Sequence, residues 1–202
     1  MNRRLILASA SPARLATLRS AGVSPEVVVS GVDESQVRVD DPATLALELA
    51  RLKAHAVAAA LGDEPAWVIG CDSVLELDGA IHGKPADADE ARSRWQLMRG
   101  RSGVLHTGHC LVDTTAGREV ARSADTVVHF ADPSDEELEA YLATGEPLKV
   151  AGAFTLDGLG GAFVQGIEGD PHTVVGIGLP LLREMFAVLG VRWTDLWERF
   201  PA

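Results

Sequence analysis

Short apolar runs of strand length alternate along this chain with longer stretches whose apolar residues recur every three or four positions. The short runs predict buried or paired strands. They lie at residues 4–9, 26–34, 67–85, 103–112 and 118–130. Polar residues interrupt the third run after Cys71, and Asp78-Gly79 within it suits a hairpin turn. A glycine-rich stretch at 150–170 also has a strand-like composition.

The stretches with helical spacing are bounded by residues that suit helix ends. Ser11 and Pro12 fit the N-cap and the first position of one helix, and Gly22 fits its C-terminal end. Asp41-Pro42 opens a longer helix that extends to about residue 60. Its predicted core stripe consists of Leu45, Leu49, Leu52 and Ala56.

Three further helices are predicted from similar end signals. They run from Asp87 or Asp89 to about Gly100, from Ser134, which forms a capping box with Glu137, to about Ala143, and from Pro180 to Gly190. Because strands and helices are interspersed, the pattern predicts an α/β fold with a mixed sheet. The length favours a single domain over residues 1–202.

The composition excludes several classes of protein. No apolar stretch reaches the roughly 18 residues that a membrane span needs, and the short apolar run near the N-terminus does not suit a signal peptide. Two cysteines make no disulfide framework, so we expect a cytoplasmic protein. A net charge of −11 argues against nucleic acid as a partner, but it is compatible with a small anion in a locally basic pocket.

The segment between the first strand and the first helix has the composition of a phosphate site. Backbone N–H groups at a helix N-terminus are unpaired, and the helix dipole favours an anion there. Ser9 and Ser11 add small hydroxyl groups, and Arg14 adds a guanidinium that matches phosphate oxygens. The alternative is an ordinary Ser-Pro helix start with a surface arginine.

Two acidic residues follow predicted strands. Asp72 ends the apolar run Val68–Cys71, which places it at a sheet edge where ligands commonly bind. A carboxylate there can hold a divalent cation or accept a proton from water. Glu34 similarly ends a predicted strand and is a candidate second metal ligand. The alternatives are a turn-capping aspartate and a solvated glutamate.

The segment His82-Gly83-Lys84-Pro85 is a further candidate phosphate contact, through Lys84. It is not a Walker A loop, because the glycine spacing is too short and a proline replaces the metal-binding hydroxyl residue. A surface lysine is the alternative. His106 and His109 are three residues apart in a predicted strand, so they face opposite sides and do not suit one shared metal.

Seven segments, spread over nearly the whole chain, share their order and spacing with one known family. They are LASASPARLATLRSAGV (7–23), VDE (32–34), LARLKA (49–54), VIGCDSVLELDGAIHGKP (68–85), GRSGVLHTGH (100–109), YLATGEPLKVAGAFTLDGLGG (141–161) and IEGDPHTVVGIGLPLL (167–182). Together they resemble the Maf family of nucleoside triphosphate pyrophosphatases.

The resemblance implies an elongated α/β fold whose two lobes flank a central cleft. It implies cleavage of a nucleoside triphosphate to the monophosphate and pyrophosphate, a divalent cation (Mg²⁺ or Mn²⁺), a homodimer, and roles in removing noncanonical nucleotides and arresting septation. By position, Asp72 resembles the proton acceptor, and Glu34 with Asp72 resembles the metal site. The positions that resemble phosphate-binding residues are Ser9, Arg14, Lys53 and Lys84.

Three departures from the family pattern concern the nucleobase. This chain has Ala13-Arg14 where many members have two arginines, Ser73 where members specific for thymidine and uridine have threonine, and Asp157 where they have glutamine. Ser73 and Asp157 are thus candidate substrate contacts. An ionised aspartate only accepts hydrogen bonds, which favours guanine over thymine or uracil. The alternative is that Asp157 only caps a glycine turn.

Two other functions stay open from the sequence. The chain could be a nucleotide-binding regulator of septation with little catalysis, although such a protein needs no catalytic base. It could also be a different phosphohydrolase, such as a monophosphatase.

Overall fold

Three long antiparallel strands form the middle of the sheet: β3 (Ala66–Leu77), β5 (Ser102–Asp113) and β6 (Arg118–Phe130). The computed structural model describes residues 3–197, so the ends of the predicted domain, 1–2 and 198–202, lie outside the described residues. Four short strands complete the sheet: β1 (Arg4–Leu7), β2 (Glu26–Val27), β4 (Ala80–His82) and β7 (Val164–Glu168).

The sheet is mixed, as the sequence predicts. Its strand order is β2-β1-β3-β5-β6-β7, with β4 paired to β3 beside this path. β1 runs parallel to β2 and β3, and the other pairs are antiparallel. The hairpin turn at Asp78-Gly79 joins β3 to β4, and Gly117 lies in the turn between β5 and β6.

One edge of β3 is bordered by two different strands with a gap between them. β1 pairs with residues 66–69 of β3, and β4 pairs with residues 75–77. Among residues 3–197, no strand pairs with 70–74 on this edge. The edge of β3 between the two short strands therefore forms the floor of a cleft.

Six helices cover the sheet in the described part of the chain. They are α1 (Pro12–Ser20), α2 (Pro42–Leu61), α3 (Ala88–Met98), α4 (Asp135–Ala143), α5 (Pro171–Val175) and α6 (Leu179–Val188). None of them is both long and apolar enough to cross a bilayer. Ser11 caps α1, Asp87 caps α3, and the capping box of Ser134 and Glu137 opens α4, which confirms these predicted helix starts.

Separate apolar cores lie at the two ends of the sheet. Trp95 of α3 and Phe130 of β6 belong to the core near β4, together with Tyr141 of α4. Leu18 of α1 and Phe186 of α6 belong to the core near β1. The two cores give the molecule its two lobes, one on each side of the gap along β3.

The helix α2 packs closely on the face of the sheet opposite these two cores. It buries a different stripe of side chains from the one predicted. Its buried residues are Ala46, Leu49, Ala50, Ala54 and Val57, so only Leu49 of the predicted stripe is buried. The cause is the pair Gly70 and Gly108: a Cβ at either position would lie within 2.3 Å of an α2 carbonyl oxygen. Because these two sheet positions are glycines, the face of α2 that carries small residues can approach the sheet. The spacing of the leucines does not indicate that this face is buried.

Two predicted strands are mostly irregular. The run 26–34 pairs only at Glu26–Val27, because its partner β1 is four residues long and offers little further edge. The stretch 150–170 forms short 3₁₀ turns, and only Val164–Glu168 is a strand. Gly152 has a φ of +72°, which interrupts any extended conformation there.

Candidate active site

The gap along β3 opens into a cleft of about 1060 Å³ between the two lobes. Four basic side chains line it: Arg14, Lys53, Lys84 and Lys149. Four acidic side chains also line it: Glu34, Asp72, Glu146 and Asp157. The chain has only three lysines, and all three are in this set. A protein of net charge −11 therefore concentrates its ammonium groups in one concave site.

Asp72 is at the floor of the cleft, and its position corrects the sequence prediction. The residue does not end a strand, because β3 continues through it to Leu77. It lies three residues beyond Ile69, the partner of the last residue of β1. The end of β1, rather than the end of β3, exposes Asp72 to the cleft. Pairing with β5 on the other side is continuous through this part of β3, and Asp72 is opposite Gly108.

Lys53 bridges the two candidate metal-binding acids. Its ammonium group contacts the Asp72 carboxylate directly and lies 2.8 Å from Oε1 of Glu34. Lys53 comes from α2, and Glu34 starts the short 3₁₀ turn Glu34–Gln36. The close approach of α2 to the sheet, which the two glycines allow, brings the lysine to Asp72. Both carboxylates thus contact the same ammonium group in the cleft.

Arg14 is a buried member of the site, with only 9% of its surface exposed. Its Nε donates to the carbonyl oxygen of Gly176 at 2.8 Å, and Nη1 donates to Oγ of Ser9 at 3.1 Å. Its Nη2 lies 3.4 Å from Oγ of Ser73. These contacts fix the guanidinium at the edge of the cleft, so it is not the surface arginine of the alternative interpretation.

The N-terminus of α1 contributes less than the sequence suggests. Pro12 has no N–H, and the N–H of Arg14 donates to Oγ of Ser11 at 3.4 Å. The N–H of Ser11 donates to Oγ of Ser9 at 3.1 Å. Both serine oxygens therefore accept hydrogen bonds within the turn, and the Ala13 amide is left for a ligand in the cleft.

Lys84 reaches the cleft from the opposite lobe, in the bend between β4 and α3. The preceding carbonyl oxygen, of Gly83, accepts hydrogen bonds from the buried Arg94 side chain and from the N–H of Gly152. The backbone before Lys84 is thereby fixed, while the lysine itself is exposed. Basic groups thus approach the floor from both lobes.

Glu146 organises the loop that carries Asp157. Its carboxylate accepts hydrogen bonds from the Tyr141 and Thr155 hydroxyl groups and from the N–H groups of Leu159 and Gly160. Burial alone would raise the pKa of Glu146, but these hydrogen bonds outweigh it and lower the pKa below its usual range. Asp157 lies within this loop and is exposed at the rim of the cleft.

His109 supports the turn that holds Arg14. Its Nε2 accepts a hydrogen bond from the N–H of Gly178 at 2.8 Å, which requires a neutral ring. Burial, and then the charge of Arg14, lower the pKa of His109 to about 4. His106 lies on the α2 side of the sheet between Glu76 and Asp125, so the two histidines face opposite sides as predicted.

Comparisons with known proteins identify the family of this chain. The sequence pattern of the family described as Maf-like protein matches residues 4–189. The chain belongs to the Maf family. A relative from Salinispora tropica is 63% identical over 97% of this chain and 88% of its own length. A relative from Streptomyces coelicolor is 60% identical over 96% of this chain and 95% of its own length. A relative from Nocardia farcinica is 55% identical over the full length of both chains. All three are named nucleoside triphosphate pyrophosphatase.

The site residues predicted from the sequence and from the Maf resemblance converge in space. All nine line the one cleft, namely Ser9, Ser11, Arg14, Glu34, Lys53, Asp72, Ser73, Lys84 and Asp157. They come from both lobes and are separated by up to 148 positions along the chain, from Ser9 to Asp157. Their individual roles stay predictions.

Two residues of this Maf cleft, Glu146 and Lys149, are not indicated by the sequence pattern. Both lie in the segment GEPLK at 145–149, between α4 and the glycine-rich stretch. The segment has no regular periodicity, and a glutamate next to glycine and proline is typical of a turn. A useful signal was available in the composition, because Lys149 is one of only three lysines.

A second group of potential metal ligands lies outside the Maf cleft. The ligand atoms of His55, Cys110 and Glu119 are within 4.8 Å of one another. Burial raises the pKa of the Cys110 thiol to about 12, and Glu119 already pairs with Arg51 at 3.0 Å and with His55 at 2.6 Å. The Glu119 carboxylate is thus already engaged by two partners.

Proposed function

We propose that this chain is a nucleoside triphosphate pyrophosphatase, which hydrolyses the bond between the α and β phosphates and releases a nucleoside monophosphate and pyrophosphate. The observation that carries the proposal is the contact of Asp72 with Lys53 at the floor of a cleft that Arg14 and Lys84 also enter. A carboxylate surrounded by cations suits a reaction in which a polyanion is attacked by water.

The proposed mechanism assigns roles to the charged residues of the cleft. Asp72 accepts a proton from the attacking water as a general base. Arg14, Lys53 and Lys84 bind phosphate oxygens and stabilise the charge that develops on the leaving pyrophosphate. Most of the acceleration comes from positioning and charge stabilisation, as in phosphoryl transfer generally.

A divalent cation fits the acidic residues of the cleft. Glu34 and Asp72 already converge on one cationic group, the ammonium of Lys53, so their oxygens are arranged for a shared positive charge. Carboxylate oxygens suit Mg²⁺ or Mn²⁺, which commonly use one or two carboxylates together with substrate phosphates. When bound, the cation would polarise the phosphate and lower the pKa of water. In its presence Lys53 would be free to turn to the phosphates.

The proposed base preference rests on Asp157 at the rim. Its carboxylate can accept hydrogen bonds from N1–H and the 2-amino group of guanine. Thymine and uracil present one N–H between two carbonyl oxygens, which the carboxylate would repel. We therefore propose that guanosine-type triphosphates are better substrates than dTTP and UTP. A homodimer and a part in septation or in removing noncanonical nucleotides remain predictions from the resemblance.

A nucleotide panel tests the proposal. The protein is incubated with eight common ribo- and deoxyribonucleoside triphosphates and Mg²⁺ or Mn²⁺, and the products are identified by phosphorus NMR. Equal amounts of monophosphate and pyrophosphate support the proposal. Release of orthophosphate would instead indicate another phosphohydrolase, and binding without turnover would indicate a regulator.

A further inference from the structure

Three consecutive polar contacts connect α5 to Arg14. Ser73 and Thr107 are cross-strand partners on β3 and β5, and their hydroxyl oxygens are 3.0 Å apart. The hydroxyl of Thr107 also lies 2.9 Å from the carbonyl oxygen of Thr173. On the cleft side, Nη2 of Arg14 lies 3.4 Å from Oγ of Ser73. Thr107 is fully buried, so it does not contact a ligand itself.

The number of hydrogens fixes the direction of this chain of contacts. A hydroxyl group has one hydrogen to donate, and a carbonyl oxygen has none. The Thr107 hydroxyl therefore donates to Thr173 and can only accept from Ser73. Ser73 donates its single hydroxyl hydrogen to Thr107. It can therefore only accept from Arg14, whose guanidinium is only a donor.

This direction changes the expected role of Ser73. Although it lines the cleft, it has no hydrogen left for a phosphate oxygen, and its lone pairs would repel one. It is instead an acceptor for Arg14. Three of the five guanidinium N–H groups of Arg14 have acceptors among the described residues, at Gly176, Ser9 and Ser73. The other two are available to a ligand in the cleft.

We propose that Thr107 is a positioning residue for the triphosphate: by accepting a hydrogen bond from the Ser73 hydroxyl, it makes Ser73 an acceptor that orients Arg14 towards the phosphates. This inference rests on the proposed function, because it assumes that Arg14 binds a phosphate chain. It adds a buried residue that lies outside the cleft lining, and it predicts an effect on phosphate affinity from a position that touches no phosphate.

The test compares Thr107→Val with Thr126→Val. Thr126 is a matched control, because it is also a buried strand threonine, 1% exposed, and its hydroxyl lies 2.7 Å from the hydroxyl of Thr173, yet it does not contact Ser73. We expect Thr107→Val to raise the KM for the triphosphate, and the Kd for inorganic tripolyphosphate, by about three- to tenfold, as for a lost hydrogen bond that orients a charged group. Thr126→Val should leave both unchanged, and Thr107→Ser should restore most of the affinity.

Equal effects of the two valine variants, or no effect of Thr107→Val, would overturn the inference. If Thr107→Val does not fold, Ser73→Ala replaces it, because Ser73 is only half-buried. Ser73→Ala should weaken tripolyphosphate binding in the wild-type background but not in an Arg14→Lys background. Equal losses in both backgrounds would mean that Ser73 contacts phosphate directly. Tripolyphosphate binding is measured without turnover, so it separates this inference from the failure of the pyrophosphatase proposal.

Discussion

The ammonium group of Lys53 is paired with the carboxylate of Asp72 between α2 and β3, and each side chain is only 12% exposed. A pair so far removed from solvent is costly to break by removing one charge, because the other is then left uncompensated. Glu34 provides Lys53 with a second partner at 2.8 Å. Asp72 can therefore be changed without leaving the lysine unpaired.

We expect Asp72→Asn to keep the fold and the affinity for triphosphate while lowering kcat by about 10²- to 10⁴-fold, because the amide cannot accept the proton from water. The measurements are kcat and the Kd for a non-hydrolysable triphosphate. The matched control is Asp113→Asn, at a 4% exposed aspartate of β5 that pairs with Arg3 at 2.8 Å outside the cleft. It should lower the melting temperature but not kcat. Near-normal turnover by folded Asp72→Asn would exclude Asp72 as the base.

Lys84→Ala should weaken triphosphate use with little change in melting temperature, because Lys84 is exposed and lies at the cleft rather than in a core. A lost charged hydrogen bond corresponds to about a tenfold or larger rise in KM. The effect should shrink as ionic strength rises. Arg19→Ala, at an exposed basic residue of α1 outside the cleft lining, is the control and should leave KM unchanged. If both variants behave alike, Lys84 is an ordinary surface lysine.

The lowered pKa of His109 predicts that the stability of the folded protein depends on pH. Its pKa is about 4 in the folded protein, below the ordinary value of 6.5. Between these values the unfolded chain binds a proton at His109 and the folded protein does not. The contribution of His109 is therefore fully present above pH 6.5 and decreases as the pH falls to about 4. Urea unfolding at pH 7 and pH 5 should show a smaller decrease for His109→Gln, which does not titrate. An equal decrease would refute the assignment.

Gly108→Ala should destabilise the protein and separate α2 from the sheet. An added Cβ would lie 2.3 Å from the carbonyl oxygen of Ala46, which is backbone and cannot rotate away. Overpacking of this kind costs about 1–3 kcal/mol or more. Because α2 carries Lys53, kcat/KM should fall as well. Gly166→Ala is the control, since its Cβ would meet only the His129 ring at 3.7 Å. A Gly108→Ala protein of normal stability and activity would show that the close approach is not needed.

How far the sequence could predict this molecule depends on the range of the interaction. Ser11, Pro12 and the capping box at Ser134 act within four residues, and the structure confirms those helix starts. Arg14 was predicted as a site residue from the same local segment. Its burial could not be predicted, because Gly176, which fixes it, is 162 positions away.

Two of the wrong predictions share one cause. The apolar residues stop at Asp72 and predict a strand end there, but pairing with β5 continues the strand through the polar residue. The buried stripe of α2 was assigned from leucines, whereas Gly70 and Gly108 on the sheet determine which face approaches. In each case a partner element, invisible in the local pattern, decides between two locally acceptable structures.

The placement of all three lysines in the cleft has a consequence for covalent chemistry. Besides the α-amino group, this chain offers amine-reactive reagents no target elsewhere, since its remaining basic side chains are arginines and histidines. Among the side chains, acylation or reductive methylation will therefore modify the cleft, and Lys84 and Lys149, which are exposed, ahead of Lys53. Amine coupling to a sensor surface will block the cleft. Labels and immobilisation should instead use other groups. Conversely, the extent of amine modification at the three lysines, mapped by mass spectrometry, reports whether a ligand occupies the cleft.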